Sequence, residues 1–458
     1  MTGHFTLLSP LFGDPAVDAC FDDQRHLQGM LDFEAALARA QADAGVIPPE
    51  AARAIGPVCR ADLYDIAAIA TAAGRSGNTA IPLVKALTAR LAMTDREAAR
   101  WVHWGATSQD ALDTGLVLQC RSALGLIHDG WIRLETALAG LAQQYAATPE
   151  IGRTWLQHAV PITFGLKAAT WLSQIMRIGD RLAEVGTACA VLQFGGAAGT
   201  LASLGDKGLA VAELLAQELG LALPDLPWHG QRDRFCALAG TLGLGAGALG
   251  KIARDISLLS QTEIAEVAEA AAPGKGGSST MPHKRNPVGC AVALAVAQRT
   301  PQLVATMLAA QTGEHERGLG AWQTEWETLP QIFRLLGGSL RNTIEVVENL
   351  EVFPARMAAN IDITQGLVLA EAVTMALADK TGRAEAHEMV ERASQRAIAL
   401  SLPFGAVIAG DPEIARHLPG TRLAALMEPG QYLGQSAQFI ERVLATFRAR
   451  QSVRETTA

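Results

Sequence analysis

Aromatic side chains are scarce in this sequence: they make up 5% of 458 residues, although hydrophobic residues make up 49%. The apolar content is therefore mostly Ala, Leu, Val and Ile, and Ala and Leu favour long helices over sheets. No alternating apolar run reads clearly as a strand, and there are no internal repeats or low-complexity tracts. Basic charge is lacking too. A formal net charge of −8 leaves no basic surplus to neutralise phosphates, which argues against a nucleic-acid binder. Cys20, Cys59, Cys120, Cys189, Cys236 and Cys290 form no C-x-x-C pair, so neither a zinc site nor a compact disulfide framework is indicated. Free thiols in a reducing cytoplasm are the expectation. Residues 1–10 carry no basic segment followed by an apolar stretch, and no signal peptide is expected. Residues 185–205 are uncharged and long enough to cross a bilayer, but Thr187, Gln193, Thr200, Ser203 and five glycines interrupt them. That segment reads as helix, loop, helix inside a protein, with no membrane association.

What the chain does have is long stretches without helix breakers. Residues 32–43 (DFEAALARAQAD) open an Ala-rich amphipathic helix stopped by Gly45 and Pro48-Pro49. Residues 110–147 and 228–272 contain no proline. In the second run Leu242, Leu249, Ile252, Ile256 and Leu259 follow the seam spacing of packed long helices. Further helical stretches are expected over 302–329 and 331–353. A forty-residue helix would be about 60 Å long, which points to a rod-like bundle with apolar seams left for other subunits. The expectation is an all-α fold in three helical parts: an N-terminal domain over 1–106, a central long-helix bundle over 107–350 and a C-terminal domain over 351–458.

The segment 273–287 (PGKGGSSTMPHKRNP) gathers three glycines, two serines and the potential cations Lys275, His283, Lys284 and Arg285. It is not a phosphate-binding loop, because G-x-x-x-x-G-K-[ST] is absent. Two readings stay open from the residues alone: a solvated connection, or an anion-binding lid with glycine hinges in which Lys284 and Asn286 supply charge and donors. Thr107 and Ser108, just before the Asp110 helix, are either plain caps or a carboxylate site at a helix N-terminus. Arg317 is either an anion-binding residue or a solvated helix charge flanked by Glu314 and Glu316.

GSSTMPHKRNP resembles the signature loop of the fumarase/aspartase superfamily. HWGATSQDALDT (103–114) and RTWLQHAVPITFG (153–165) resemble the other two signature regions, in the expected order, and residues 360–388 resemble the third domain. The likeness covers essentially the whole chain. It implies a homotetramer with a central helix bundle and sites shared between subunits, acting on a small carboxylate substrate without metal or organic cofactor. Ser278 would remove a proton alpha to a carboxylate, giving an aci-carboxylate dianion from which a beta substituent leaves. A hydroxyl is a poor base, so it must be held as an oxyanion by loop N–H groups and a cation, for which the resemblance offers Lys284. The same resemblance assigns substrate binding to Asn286, Met281, Thr107, Ser108, His103, Gln157, His158 and Arg317.

The sequence departs from its amine-releasing relatives at one linked pair. Their second region has Thr-His, where the histidine protonates the leaving group and a glutamate just past Asn-Pro supports it. Here the positions hold Thr154-Trp155 and Ala291. An amine needs that proton; a carboxylate, with a conjugate acid near pKa about 4, does not. The missing acid therefore selects a leaving group that is already a stable anion, as in opening a lactone by beta-elimination. TSQD, RTWLQHA and AWQTEWETLP resemble the lactonising branch that acts on 3-carboxy-cis,cis-muconate in protocatechuate breakdown. The alternatives are a fumarate-releasing adenylosuccinate or argininosuccinate lyase, and a non-catalytic protein on the same scaffold.

Overall fold

The first long helix begins at Asp23 rather than Asp32, because Asp22 starts it: its carboxylate accepts from the Arg25 N–H at 2.7 Å. The computed structural model describes residues 7–271, 276–277, 281 and 283–457. Six more long helices follow among the described residues: Ser108–Gln144, Phe164–Cys189, Asp233–Leu259, Val288–Ala310, Ala321–Glu348 and Ser436–Thr457. The longest, of 37 residues, runs about 55 Å. The all-α expectation holds. Strand pairing among the described residues amounts to a hairpin of Pro149–Thr154 with Gln157–Thr163 and a short pairing of Val267–Ala268 with Glu351–Val352. The hairpin was not legible as strand in the sequence.

Two sequence expectations are corrected. Helices were anticipated over 302–329 and 331–353 with a break at Pro330, but Pro301 and Pro330 both lie inside helices. The break falls instead at 311–320, where Gly313, Gly318 and Gly320 cluster. One proline removes one hydrogen bond from a long helix with a buried face, whereas a glycine-rich stretch supplies neither helix propensity nor an apolar stripe. The second correction concerns the seam. Leu242, Leu249, Ile252, Ile256 and Leu259 are all buried by the chain itself, so they leave nothing for a partner. The surplus apolar surface lies elsewhere, chiefly on the largely exposed Val288–Ala310 helix. That helix and Asp233–Leu259 are the two, among the described residues, long and apolar enough to cross a bilayer by length and composition.

Residue contacts divide the chain into two compact units, each assembled from three separated stretches. The first comprises Met1–Trp131, Ile178–Gly250 and Val292–Asn342. Within it Gly29 and Gly115 let the Asp23–Asp43 and Ser108–Gln144 helices meet backbone to backbone: a Cβ on Gly29 would lie 2.9 Å from the Gly115 carbonyl oxygen. Arg341 also holds the N-terminal segment there, donating to the carbonyls of Pro10 and Gly13.

The second unit comprises Ile132–Arg177, Lys251–Ala291 and Thr343–Ala458. Its core includes Val373, Leu377, Met389, Phe404 and Ile408 from the C-terminal helices. Ile151 of the hairpin packs with Ile361, Val368 and Leu369. Arg450 and Arg454 of the last helix, Ser436–Thr457, pair with the buried Glu135.

The glycine contact gives a direct test. Gly115→Val should lower stability by about 1–3 kcal/mol through overpacking, read as a drop in the midpoint of denaturant unfolding. Gly125→Ala, in the same helix with nothing within 4 Å of the added Cβ, should instead raise it by about 0.5–1 kcal/mol.

Candidate active site

In the first unit the chain enters the Ser108–Gln144 helix through a tight turn. His103 and Gly105 both have left-handed backbone, at φ 59° and 72°. For a histidine that conformation is strained and must be held by its surroundings. Two side chains of the Asp23–Asp43 helix hold it: Gln41 donates to the Trp104 carbonyl at 2.6 Å, and Glu34 lies 2.5 Å from His103 Nδ1. Burial disfavours the charged imidazole, but the Glu34 charge and hydrogen bond, with the charge of Asp110, outweigh it, and the His103 pKa is raised.

Thr107 is not an ordinary cap. Asp110, three residues on, reaches back to accept from Thr107 N at 2.9 Å, which is half of a capping box. The Thr107 hydroxyl instead meets Arg317 Nη2 at 3.3 Å. Arg317 is not a helix charge either: it sits half-buried in the 311–320 loop, its Nε donating to Gln109 Oε1 at 2.8 Å and its Nη2 to the Ala197 carbonyl at 3.2 Å. The structure thus brings Thr107 and Arg317 together beside Ser108, the first residue of the helix. A guanidinium, a hydroxyl and helix N–H groups are the donor types that suit a carboxylate.

Beneath that site lies a buried polar network. Asp110 accepts from the N–H groups of Gly195 and Gly196, each at 2.9 Å, and meets His229 Nε2 at 2.7 Å. Asp113 accepts from Arg232 Nη1 at 2.7 Å, from Trp322 Nε1 at 3.0 Å and from Gln109 Nε2 at 3.0 Å. Arg232 also donates to Glu325 through Nε at 2.9 Å. Trp322 and Trp326 stack edge to face at 4.9 Å, so the first of these tryptophans serves as a donor in the network.

In the second unit the hairpin turns through Trp155 and Leu156, both left-handed at φ 52° and 63°. Two such residues between Thr154 and Gln157 are what a type I′ hairpin turn requires, although Asn-Gly is its usual sequence. Trp155 is 97% exposed and Leu156 75%. Gln157 is exposed at the start of the returning strand, and His158 faces Arg153 across the pair. Burial, then the Arg153 charge, lower the His158 pKa against the pull of Glu266, so the ring is held neutral.

The base of the hairpin is anchored by charge. Arg153 forms a two-point pair with the fully buried Glu266 at 2.9 and 2.7 Å, and Asn360 donates to the same carboxylate at 2.7 Å. Glu150 is also fully buried. Lys167 Nζ lies 3.1 Å from its Oε1, but neither Glu150 oxygen has a well-directed hydrogen-bond donor. Burial raises its pKa to about 7, with Lys167 opposing and Glu266 reinforcing the rise.

Of the signature loop, Ser278 lies outside the described residues. Lys284 and Met281 are exposed, with the Lys284 N–H donating to the Met281 carbonyl at 3.0 Å. Asn286 closes the neck of the loop: its backbone N–H and its Nδ2 both donate to the Gly276 carbonyl, at 2.9 and 3.0 Å. Arg285 pairs with Glu351 at 2.7 Å, and Glu269 accepts from the N–H groups of Gly289 and Cys290, fixing the start of the Val288–Ala310 helix.

The sequence singles out His103, Thr107, Ser108 and Arg317 but not the residues packed around them: Glu34, Gln109, Asp110, Asp113, His229, Arg232 and Glu325. One signal was available. Gln109, Asp110, Asp113 and Thr114 form a polar cluster at the head of a long apolar helix, and all are buried, which demands partners.

Two outcomes follow. Asp110→Asn presents an amide to N–H donors that need acceptors, and should cost about 1–3 kcal/mol for each group left unpaired, seen as a lower unfolding midpoint. Glu150, with its folded-state pKa raised, contributes stability that is complete below pH 4.5 and lost as pH rises through about 7. The loss is up to about 3 kcal/mol. Unfolding free energy measured against pH should show it, and Glu150→Gln should flatten that part of the curve.

A profile of the lyase family matches residues 14–301, and one for the adenylosuccinate lyase C-terminus matches residues 366–443. The 3-carboxy-cis,cis-muconate cycloisomerase of Bradyrhizobium diazoefficiens is 52% identical over 438 residues, spanning 96% of this chain and 97% of that protein. The protein of the same name from Pseudomonas aeruginosa is 53% identical over 431 residues, 94% of each. The crystal structure of 3-carboxy-cis,cis-muconate lactonizing enzyme from Pseudomonas putida matches with a TM-score of 0.93 at 50% identity, covering 97% of this chain and 99% of that one. The signature loop, the buried support of the first region and this near full-length similarity lead to one assignment: the chain belongs to the lyase family, within the fumarase/aspartase superfamily.

Proposed function

We propose that this protein interconverts 3-carboxy-cis,cis-muconate and a carboxymuconolactone, as an intramolecular lyase of protocatechuate breakdown. One observation carries the choice among superfamily chemistries. The hairpin position that holds the proton-donating histidine in amine-releasing relatives is occupied here by Trp155, and its supporting glutamate by Ala291. An indole cannot protonate a leaving group near neutrality. The reaction must therefore expel, or in reverse add, an anion that needs no proton.

In the lactone-forming direction a carboxylate oxygen of the substrate adds to the beta carbon of the double bond, forming the C–O bond. The displaced electron pair moves into the carboxylate on the alpha carbon as an aci-carboxylate dianion. Ser278 then delivers its hydroxyl proton to that carbon. In the opening direction the Ser278 alkoxide takes the alpha proton and the ring C–O bond breaks. Lys284 offsets the charge of the alkoxide and the dianion, while Arg317, Thr107 and Ser108 hold another carboxylate of the tricarboxylate substrate. Asn286, Met281, Gln157 and His158 complete the binding set.

The active form in this reading is a homotetramer in the cytoplasm, with each site assembled from several subunits. Support comes from the apolar, largely exposed Val288–Ala310 helix and the exposed Trp155-Leu156 tip, which need cover from protein rather than lipid. It comes also from six free cysteines, five of them buried.

Mixing purified protein with 3-carboxymuconate should produce the ultraviolet change of lactonisation, and no fumarate should be released from adenylosuccinate or argininosuccinate. Ser278→Ala should lower kcat by several orders of magnitude with the oligomer unchanged by light scattering. Near-normal turnover by that variant would remove Ser278 from the mechanism.

A further inference from the structure

His103 lies on the turn that leads into Thr107, and its ring is held by a hydrogen bond. Glu34, 69 residues earlier in sequence, lies 2.5 Å from Nδ1. The two side chains are 17% and 2% exposed. Gln41 stands two helical turns beyond Glu34 on the same face and holds the next residue, Trp104, by its carbonyl. Ser203 completes the clamp, its hydroxyl donating to the Gly105 carbonyl at 3.4 Å. A left-handed histidine persists here because three side chains hold the turn: Glu34 at His103, Gln41 at Trp104 and Ser203 at Gly105.

A buried carboxylate at Nδ1 has a definite consequence for the other ring nitrogen. Glu34 can only accept, so Nδ1 carries hydrogen, and when the ring is protonated Nε2–H is directed away from Glu34. The same carboxylate–imidazole pairing orients histidines that bind metals or move protons elsewhere in protein chemistry. Here the ring shares a turn with Thr107, whose hydroxyl meets Arg317.

We propose that Glu34 is a positioning residue for substrate binding: its buried carboxylate locks His103 so that Nε2–H is presented, with Thr107 and Arg317, to a carboxylate of the substrate. The pair is close to neutral overall, so it contributes an aimed donor rather than added net charge. A planar tricarboxylate needs such directional contacts to fix which carboxylate attacks and which carbon receives the proton. The assignment rests on the tricarboxylate reading above.

The charged groups that act on the ring are Glu34 from the Asp23–Asp43 helix and Asp110 from the Ser108–Gln144 helix. Asp110 is itself committed to His229 and to three backbone N–H groups. Removing the Glu34 charge leaves burial as the main influence on His103, and that works against protonation. Glu34→Gln keeps the shape and an acceptor for Nδ1–H while deleting the charge.

The test has two arms. Deuterium exchange at the imidazole C2 of His103, followed by mass spectrometry across pH, should place its midpoint above the ordinary value in the wild type. In Glu34→Gln the midpoint should fall, because the charge that favours the imidazolium is removed. In steady-state turnover, the variant should raise KM for 3-carboxymuconate more than it changes kcat, with the largest KM ratio to wild type on the alkaline side, and the gap should narrow towards pH 5.5. Glu34→Asp should recover part of the loss. A purely structural Glu34 would depress activity equally at all pH values, and that result, or superimposable His103 midpoints in folded variant and wild type, would overturn the proposal. Should the wild type fail to turn over 3-carboxymuconate, the cycloisomerase reading fails by itself, and the exchange arm still decides whether Glu34 governs His103.

Discussion

Two buried carboxylates nearly one turn apart at the head of a helix, Asp110 and Asp113, organise the first signature region. Asp110 gathers backbone N–H groups from Thr107, Gly195 and Gly196, so it fixes both the turn entering the helix and the glycine-rich strand of chain beside it. Asp113 gathers Arg232, Trp322 and Gln109, and through Gln109 it sets the direction of Arg317. A buried carboxylate is tolerable only when its oxygens are fully engaged. Here that requirement places an arginine beside a threonine hydroxyl at the start of the helix.

The hairpin region applies the same principle with a different balance. Glu266 is satisfied by Arg153 and Asn360, whereas Glu150 is fully buried without a well-directed donor and sits near neutrality in its protonation. The ion pair anchors the base of a hairpin whose two-residue turn is built from Trp155 and Leu156. It also surrounds His158 with fixed charge, and the positive Arg153 adds to burial in keeping that ring neutral. The tip carries an indole where relatives that release amines carry an acid. A hairpin that retains its frame while replacing the proton donor at its tip is consistent with chemistry whose leaving group is already an anion.

Much of this protein is legible in its amino-acid order. Scarce aromatics, abundant Ala and Leu and long proline-free runs specify helices, and the loop GSSTMPHKRNP with its two companion regions specifies the superfamily. The linked replacement at Trp155 and Ala291 narrows the chemistry before any coordinate is known. Where local reasoning failed, it failed for identifiable reasons. Prolines at 301 and 330 were read as breaks, yet a long helix with a buried face absorbs the loss of one hydrogen bond, and the glycine cluster at 313–320 is what frees Arg317 from helical geometry. The Leu242 to Leu259 seam has coiled-coil spacing but is covered within the chain, because spacing reports that a face is buried and not what buries it.

The sequence alone determined the fold class and the superfamily, since each depends on composition, period or contiguous motif. Tertiary structure alone decided that Glu34 grips His103, that Gln109 carries Asp113's hold to Arg317 across 208 residues, and that a Trp-Leu pair turns a hairpin. Partners so far apart leave no periodic trace. A left-handed Trp-Leu turn runs against local preference, which favours Asn-Gly there, so local sequence gives no sign of it.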